Sequence, residues 1–277
     1  MILFPNAKIN LGLNILRRRP DGYHDIETVM LPVGWADILE IVPAEGPDTT
    51  LTASGRHVDC PPEKNLVMKA YNALKQLRPD MPAAHIYLRK IVPDGAGLGG
   101  GSSDAAFALA GLNELFGLGL SRRQLAEVAA GIGADCPFFI YNRPMLATGT
   151  GTDLAEIDID LTGLHIAIAK PEGAAVSTRE AYAGVSPCVA PMAVGRAALQ
   201  PIELWQDSLH NDFEPSVGSR LPQIASLRQH MLDAGAAYTS MSGSGSAVFG
   251  IFRSAKMAEQ AVRGLDSCAC WSGPLQA

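Results

Sequence analysis

From Ala7 to Leu16 apolar and polar residues alternate, with Ile9, Leu11, Leu13 and Ile15 on one face and Lys8, Asn10, Gly12 and Asn14 on the other. A period of two is that of a strand with one polar face. Arg17-Arg18-Arg19-Pro20-Asp21-Gly22-Tyr23-His24 follows, a basic turn whose Asp-Gly pair signals a hairpin. Further strands are predicted over Val29–Val33 and near Ile38–Val42 and Thr49–Ala53. After Pro61-Pro62, the residues Val67, Ala70, Tyr71, Leu74 and Leu77 recur at helical spacing until Pro79 ends the run. Ile86 to Val92 alternates again, and Phe107 to Phe116 reads as an apolar helix. Ser121-x-x-Gln124 and Ser177-x-x-Glu180 are capping boxes that open later helices, the first ending near Gly131–Gly133. Gly133-Ala134-Asp135-Cys136-Pro137-Phe138-Phe139-Ile140 reads as a turn leading into a short strand. His165–Ala169 is a predicted strand, residues 187–201 look irregular, and Leu221, Ile224, Leu227, Met231 and Leu232 mark a helix stopped by Gly235. A strand over Ala247–Phe252 and a helix from about Ala255 to Arg263 complete the chain. Strands alternating with helices indicate an α/β or α+β protein in two parts, with Gly149-Thr150-Gly151 as the candidate boundary.

One stretch stands apart from this periodicity: Pro93-Asp94-Gly95-Ala96-Gly97-Leu98-Gly99-Gly100-Gly101-Ser102-Ser103-Asp104-Ala105-Ala106. It lies between a predicted strand and a predicted helix. A helix start offers unpaired N–H groups and the positive end of the dipole, which favour an anion such as a phosphate. Glycine lets the backbone approach that anion and take positive φ. A surface loop rarely needs so many glycines against a helix start. Gly95-x-Gly97-x-x-Gly100 also fits a dinucleotide fingerprint, but the acidic strand-end residue required about 20 positions later is missing, because that region, around Glu114, is still inside the helix. The Gly-Lys-Ser/Thr of a Walker A loop is absent.

The 277 residues suffice for one large domain or two ordinary ones, and 47% hydrophobic content permits a sizeable core. A net charge of −6 argues against a nucleic-acid or membrane-surface binder, either of which needs a basic field. No run of 18 apolar residues predicts a membrane span. The N-terminus, interrupted by Lys8 and without a basic leader, does not read as a signal peptide. Cys60, Cys136, Cys188, Cys268 and Cys270 are odd in number and lack zinc or thioredoxin spacing, so a reduced, cytoplasmic protein is expected.

Each remaining polar cluster has an ordinary reading. A strand lysine such as Lys8 is usually a solvated edge residue, Asp21-Gly22-Tyr23-His24 a hairpin tip with a packed tyrosine, Asp135 a cap or turn residue, and Gly243-Ser244-Gly245 a glycine turn. Their order changes that. Pro5-x-x-Lys8-x-Asn10, Arg18-x-x-Asp21-Gly22-Tyr23-His24, the triple-glycine stretch with Ser-Ser-Asp-Ala-Ala, Gly133-Ala134-Asp135-x-Pro137-Phe138-Phe139 and Gly243-Ser244-Gly245-Ser246 succeed one another along the chain. Together they resemble the galactokinase, homoserine kinase, mevalonate kinase and phosphomevalonate kinase superfamily. Within it they resemble the branch acting on a cytidine diphosphate-linked methylerythritol, and the resemblance runs from Pro5 to about Phe252.

That resemblance implies a two-domain α+β kinase. Its N-terminal half, residues 1–152, would be like ribosomal S5 domain 2 and bind ATP, its C-terminal half, residues 153–277, would be ferredoxin-like, and the active site would lie in the cleft between them. It implies transfer of the γ-phosphoryl of ATP, with Mg²⁺, to the 2-hydroxyl of that substrate. Lys8 and Asp135 match the family's catalytic pair, with Asp135 as general base and Lys8 keeping it ionised and stabilising charge on the phosphoryl group. Pro93, Asp94, Gly95, Ala96, Gly97, Leu98, Gly99, Gly100, Gly101, Ser102 and Ser103 would hold the ATP phosphates, and Asn65-Leu66 matches a segment near the adenine. Tyr23 and His24 would recognise the cytosine, Tyr182 matches a second stacking aromatic, and Asn10 would contact the methylerythritol hydroxyls. Asn211-Asp212-Phe213-Glu214 matches a family segment whose simplest role is a helix start. Ser103 and Asp104 either contact Mg²⁺ or cap the helix, and no metal-ligand set can be read from spacing. Two departures are visible. Tyr141-Asn142-Arg143 stands where the family has small glycine-rich residues, and Asp94 must point away from the phosphates or toward the metal. No macromolecular partner is implied beyond a monomer or homodimer.

Three rivals have different expectations. A homoserine- or mevalonate-type kinase would accept a plain alcohol. A nicotinamide-dependent oxidoreductase would bind nicotinamide and not ATP. An RNA-binding module, suggested only by the S5-like half, would bind RNA in a salt-dependent way, against the acidic net charge.

Overall fold

A computed structural model of the chain describes residues 1–57, 60–187 and 192–275. In chain order the elements are β1 (Ile2–Leu3), β2 (Asn6–Arg18), β3 (His24–Ala36), β4 (Ile38–Pro43), β5 (Thr50–Gly55), α1 (Leu66–Leu77), β6 (Ala84–Lys90), α2 (Gly100–Leu115), α3 (Arg122–Ala130), α4 (Cys136–Tyr141), β7 (Met145–Thr148), β8 (Asp153–Glu156), β9 (His165–Pro171), α5 (Thr178–Ala183), α6 (Val194–Ala198), α7 (Trp205–Ser208), α8 (Glu214–Arg220), α9 (Gln223–Asp233), β10 (Tyr238–Met241), β11 (Val248–Phe252), α10 (Ala255–Val262) and β12 (Cys268–Pro274). They form three four-stranded sheets, ordered β1-β4-β6-β5, β2-β3-β7-β8 and β10-β11-β9-β12. By contacts the chain groups into two units, one of residues 1–7, 35–94 and 99–142, the other of 8–34, 95–98 and 143–277.

In the first unit, β6 alternates strictly, burying Ala84, Ile86, Leu88 and Lys90. It pairs antiparallel with β4 and parallel with β5. The sheet packs on α1 and α2. Helix α1 starts where the Asn65 side chain accepts the Val67 N–H at 2.9 Å and buries Val67, Ala70, Tyr71 and Leu74, the spacing the sequence predicts. Helix α2 is rich in alanine and glycine and can therefore approach closely: a Cβ on Gly111 would stand 2.5 Å from Leu3 Cδ1. Leu39, Ile41, Ile86, Leu109 and Leu112 form the centre of this core, each worth about 2 kcal/mol when fully removed from water.

In the second unit, Leu13, Ile15, Ala167, Val248, Met231 and Phe252 share a core under α9 and α10. The two capping boxes are formed as read. Three expectations change. Residues 136–141 are a helix, not a strand. Pro137 sits in its first turn, where a missing N–H costs nothing. Within the irregular stretch, 194–198 is helical and 188–191 lie outside the described residues. Strands β10 and β12 had no clear alternation to reveal them. Finally, β2 runs to Arg18 and is buried on both faces from Ala7 to Ile15, so the polar face of that stretch is not solvated. Residues 149–152 form the turn of the antiparallel β7–β8 hairpin, where Thr148 pairs with Asp153. Among the described residues no helix is long and apolar enough to cross a membrane.

Candidate functional site

The glycine stretch divides in two. Residues 95–98 pack with β2 and the β10–β11 turn: Leu98 O accepts the Lys8 N–H at 2.9 Å, Ala96 O the Ala247 N–H at 3.1 Å, and Gly97 O the Ser242 hydroxyl at 2.8 Å. The Ser242 hydroxyl also accepts the Asn10 N–H at 3.2 Å. The turn itself is held from behind. Asn211, buried, donates to Met241 O at 2.7 Å and Gly243 O at 2.8 Å. Asp212 accepts the Ile15 N–H at 2.6 Å and Phe213 is the N-cap of α8, so the Asn-Asp-Phe-Glu segment is indeed a helix start.

From Gly99 onward the stretch belongs to α2, which begins earlier than Phe107. Gly99 is the N-cap at φ +70°, and no side chain caps the helix. Ser103 and Asp104 are therefore inside the helix and do not cap it. The first α-type bond runs from Ser103 N–H to Gly99 O at 2.9 Å. The N–H groups of Gly100, Gly101 and Ser102 precede it and have no intrahelical acceptor, the arrangement that suits an anion. The Ser103 hydroxyl is buried with no hydrogen-bond partner among the described residues. Asp94 is exposed and Pro93 is buried. Leu66 Cδ1 lies 3.7 Å from where a Gly101 Cβ would be, which places Leu66 beside the helix start. Asn65, its neighbour, lines a cavity of about 200 Å³ with Ser54, Arg56, His57, Cys60 and Lys90.

Asp135 stands at the N-cap position of α4, half-buried, and its side chain does not cap that helix. The adjacent Cys136 Sγ and the Ser102 hydroxyl both lie against Gly133, 3.2 Å and 3.8 Å from where its Cβ would be. Burial, with the Asp135 charge adding to it, pushes the Cys136 thiol up to about 11, so it is protonated and no nucleophile at neutral pH. Asp135 and the uncapped start of α2 thus belong to the same unit. Asn142 takes the left-handed conformation at φ 50° and closes α4 without the glycine usual at such an end. Its side chain donates to Asn6 Oδ1 at 2.9 Å.

Lys8 is in the second unit, only 3% exposed, and its ammonium donates to Asn10 Oδ1. Asn10 donates in turn to the Thr28 hydroxyl at 3.1 Å. The Lys8–Asn10 bond shows that these two side chains share a face, as the alternation implies, but the face is buried. Thr28 was not legible as a partner, since nothing in the alternation of β3 singles it out.

The basic turn is formed, with Gly22 N–H bonded to Arg19 O at 3.1 Å and Arg19 N–H to Tyr23 O at 2.8 Å. Tyr23 is 67% exposed, not packed as an ordinary hairpin tyrosine would be. The His24 ring stacks on Tyr182, centroids 4.7 Å apart and 16° from parallel, and Tyr182 meets the edge of Phe213 at 4.8 Å. His24, Tyr23, Tyr182, Arg18 and Arg179 line an open cavity of about 820 Å³. Burial, aided by the Arg18 charge, lowers the His24 pKa and favours the neutral ring. Arg18 and Arg179 bring positive charge to the cavity, and the second of these had no sequence signal.

The GHMP kinases N terminal domain matches residues 65–143 and the GHMP kinases C terminal domain residues 196–269. The 4-diphosphocytidyl-2-C-methyl-D-erythritol kinase of Parabacteroides distasonis is 46% identical over 276 residues, covering 99% of this chain and 100% of that protein. This chain belongs to the 4-diphosphocytidyl-2-C-methyl-D-erythritol kinase family of GHMP kinases. A crystal structure of a 4-(cytidine 5'-diphospho)-2C-methyl-D-erythritol kinase superposes with TM-score 0.84 at 31% identity, covering 100% of both chains. The homoserine kinase of Cytophaga hutchinsonii shares the fold alone, with TM-score 0.74 at 19% identity over 98% of this chain and 94% of that one. The architecture is accordingly that of a two-domain α+β small-molecule kinase of the GHMP family.

Proposed function

We propose that the protein transfers the γ-phosphoryl of ATP to the 2-hydroxyl of 4-diphosphocytidyl-2-C-methyl-D-erythritol, the substrate named for its relatives, in the non-mevalonate route to isoprenoid precursors. The observation that carries the reading is the uncapped, glycine-built start of α2, in the same unit as Asp135. Phosphoryl transfer requires positioning and charge stabilisation more than covalent help, and this constellation supplies both. The N–H groups of Gly100 to Ser102, with the 93–99 segment ahead of them, receive the ATP phosphates. Asn65 and Leu66 flank the adenine. Asp135 accepts the proton of the 2-hydroxyl, and Lys8 supplies positive charge to the transferred group.

Mg²⁺ fits these residues. The unpartnered Ser103 hydroxyl is a protein oxygen that would join it. An ion bound there would neutralise phosphate charge. Asp104 turns Oδ2 to Lys90, and its Oδ1 is buried with no hydrogen-bond partner among the described residues.

Asn10, Tyr23, His24 and Tyr182 are proposed to hold the acceptor. The open cavity with two arginines suits a pyrimidine nucleoside diphosphate, and a neutral His24 offers the base one donor and one acceptor. In the present conformation His24 and Tyr182 cover each other's faces, so a base held between them requires the rings to part. Base stacking is worth about 1–3 kcal/mol. Tyr182→Ala should therefore raise KM for the cytidine substrate about tenfold, leaving KM for ATP and kcat within about threefold. Steady-state kinetics with each substrate varied checks this, and an unchanged acceptor KM removes Tyr182 from the site.

The division into an ATP-binding half over 1–152 and a second half over 153–277 is likewise proposed, supported by family matches at 65–143 and 196–269. A cytoplasmic monomer or homodimer is proposed with it, consistent with free Cys60, Cys136, Cys268 and Cys270, Cys188 lying outside the described residues. The deciding experiment is incubation with Mg·ATP and the cytidine-linked substrate, with homoserine and mevalonate in parallel. Appearance of the 2-phosphorylated product from the first acceptor alone is expected. Turnover of a plain alcohol instead would give the site to another kinase of the superfamily.

A further inference from the structure

One buried ammonium joins the two flanks of the glycine stretch. Lys90, the last residue of β6, donates to Asp37 Oδ2 and, at 2.7 Å, to Asp104 Oδ2 in α2. Asp37 Oδ1 accepts the N–H groups of Ile91 at 2.5 Å and Val92 at 2.8 Å. All three side chains are buried: Lys90 is 6% exposed, Asp104 2% and Asp37 0%. A Cβ on Gly100 would lie 3.3 Å from Lys90 Nζ, so the ammonium rests against the first residue of α2. Lys90 stands three residues before Pro93 and Asp104 five after Gly99, so the trio closes the base of the whole stretch.

Stability does not account for this arrangement. Three ionisable groups must be desolvated: burial, with the Asp37 charge adding to it, pushes the Asp104 carboxyl up to about 7 against the pull of Lys90, and an apolar filling of the same volume is often as stable or more so. The ammonium is nevertheless held: burial opposes its charge, but Asp104 and Asp37 outweigh burial and keep its pKa above the ordinary lysine value. An apolar trio would pack as well but would fix no direction. Hydrogen bonds to a carboxylate on each side fix both the end of β6 and the first turns of α2 to within bond geometry.

We propose that Lys90 is a positioning residue for ATP, holding the start of α2 so that the N–H groups of Gly100, Gly101 and Ser102 converge on the nucleotide phosphates. This rests on the reading of that helix start as the phosphate site. The role acts through the helix start, and Lys90 also lines the cavity beside Asn65. Its signature is a loss confined to the nucleotide and independent of thermal stability.

The test compares wild type, Lys90→Met and the neutral, nearly isosteric triple variant Asp37→Asn, Lys90→Met, Asp104→Asn. Tm, Mg·ATP affinity by titration calorimetry, and KM for each substrate are measured. Lys90→Met leaves two carboxylates uncompensated, and its Tm should fall. The triple variant removes those charges and should recover most of the Tm. Both variants should still bind Mg·ATP at least tenfold more weakly than wild type, with acceptor KM within about twofold. A triple variant that recovers Tm and binds Mg·ATP as wild type does would overturn the proposal, since the trio would then serve stability alone. Acceptor KM rising in step with ATP KM would also overturn it. Absence of Mg·ATP binding by the wild-type protein would instead defeat the phosphate-site reading itself.

Discussion

Asp135→Asn should lower kcat by about 10²–10⁴-fold, the range for loss of a general base, while Mg·ATP binds within about threefold of wild type. Asparagine has the shape of aspartate but cannot take a proton at neutral pH. One side effect of such a change, the loss of a helix cap, does not arise. Asp135 occupies the N-cap position of α4, yet its side chain makes no capping bond, so the substitution removes no helix cap. The helix is held otherwise, by Pro137 in its first turn and by fully buried Phe138 and nearly buried Phe139. The adjacent thiol cannot substitute, because burial keeps Cys136 protonated. Single-turnover kinetics with saturating Mg·ATP separate chemistry from binding. A kcat within a few-fold of wild type would assign Asp135 a purely positional role.

Gly97→Ala should destabilise the protein by at least about 3 kcal/mol and abolish Mg·ATP binding, while Gly95→Ala should cost only about 1–2 kcal/mol. Both glycines have positive φ, +74° at Gly97 and +58° at Gly95. Their surroundings differ. A Cβ at Gly97 would stand 1.9 Å from the backbone oxygen of Ser242, whereas one at Gly95 meets nothing within 4 Å. Ser242 cannot retreat. It is fully buried, its hydroxyl bridges Gly97 O and the Asn10 N–H, and Asn211 grips the carbonyls on both sides of it. Urea unfolding of the two variants, with calorimetric ATP titration, measures the contrast. Equal and small losses would show that the turn at 242–246 yields.

The contrast between these glycines marks a limit of the sequence. Five glycines in seven residues announce a backbone that takes positive φ and leaves an open approach to a helix start. They do not say which glycine faces an anion and which faces the protein. Gly97 is pressed on Ser242, more than a hundred residues later, and only the folded chain brings that carbonyl into place. The helix start itself was placed too late, at Phe107, because glycine and serine are weak helix formers and their run conceals the first turns of α2. Residues 136–141 misread in the opposite sense, since Phe138, Phe139 and Ile140 favour strands in isolation, while the fold wraps them into a short helix on α2.

Lys8 and Lys90 show the same division. A lysine on an alternating strand looks like a solvated edge residue, and for each of them the structure shows a buried ammonium held by side-chain acceptors. The sequence did carry a sign for Lys90. It occupies the inward register of Ala84, Ile86 and Leu88, where a charge demands a partner. It carried none for the identity of that partner, because Asp37 and Asp104 lie 53 and 14 residues away along the chain.

By itself the sequence determined the strands and helices with clear periodicity, the two capping boxes, the glycine stretch between a strand and a helix, and the kinase family. Each of these rests on residues close together in the chain or on motifs in fixed order. The tertiary structure alone decided which glycine is sterically obligatory, that β2 is buried on both faces from Ala7 to Ile15, that His24 stacks on Tyr182, and that one ammonium ties both flanks of the glycine stretch. Those features depend on contacts across tens to hundreds of residues, and local propensity and spacing carry no information about them.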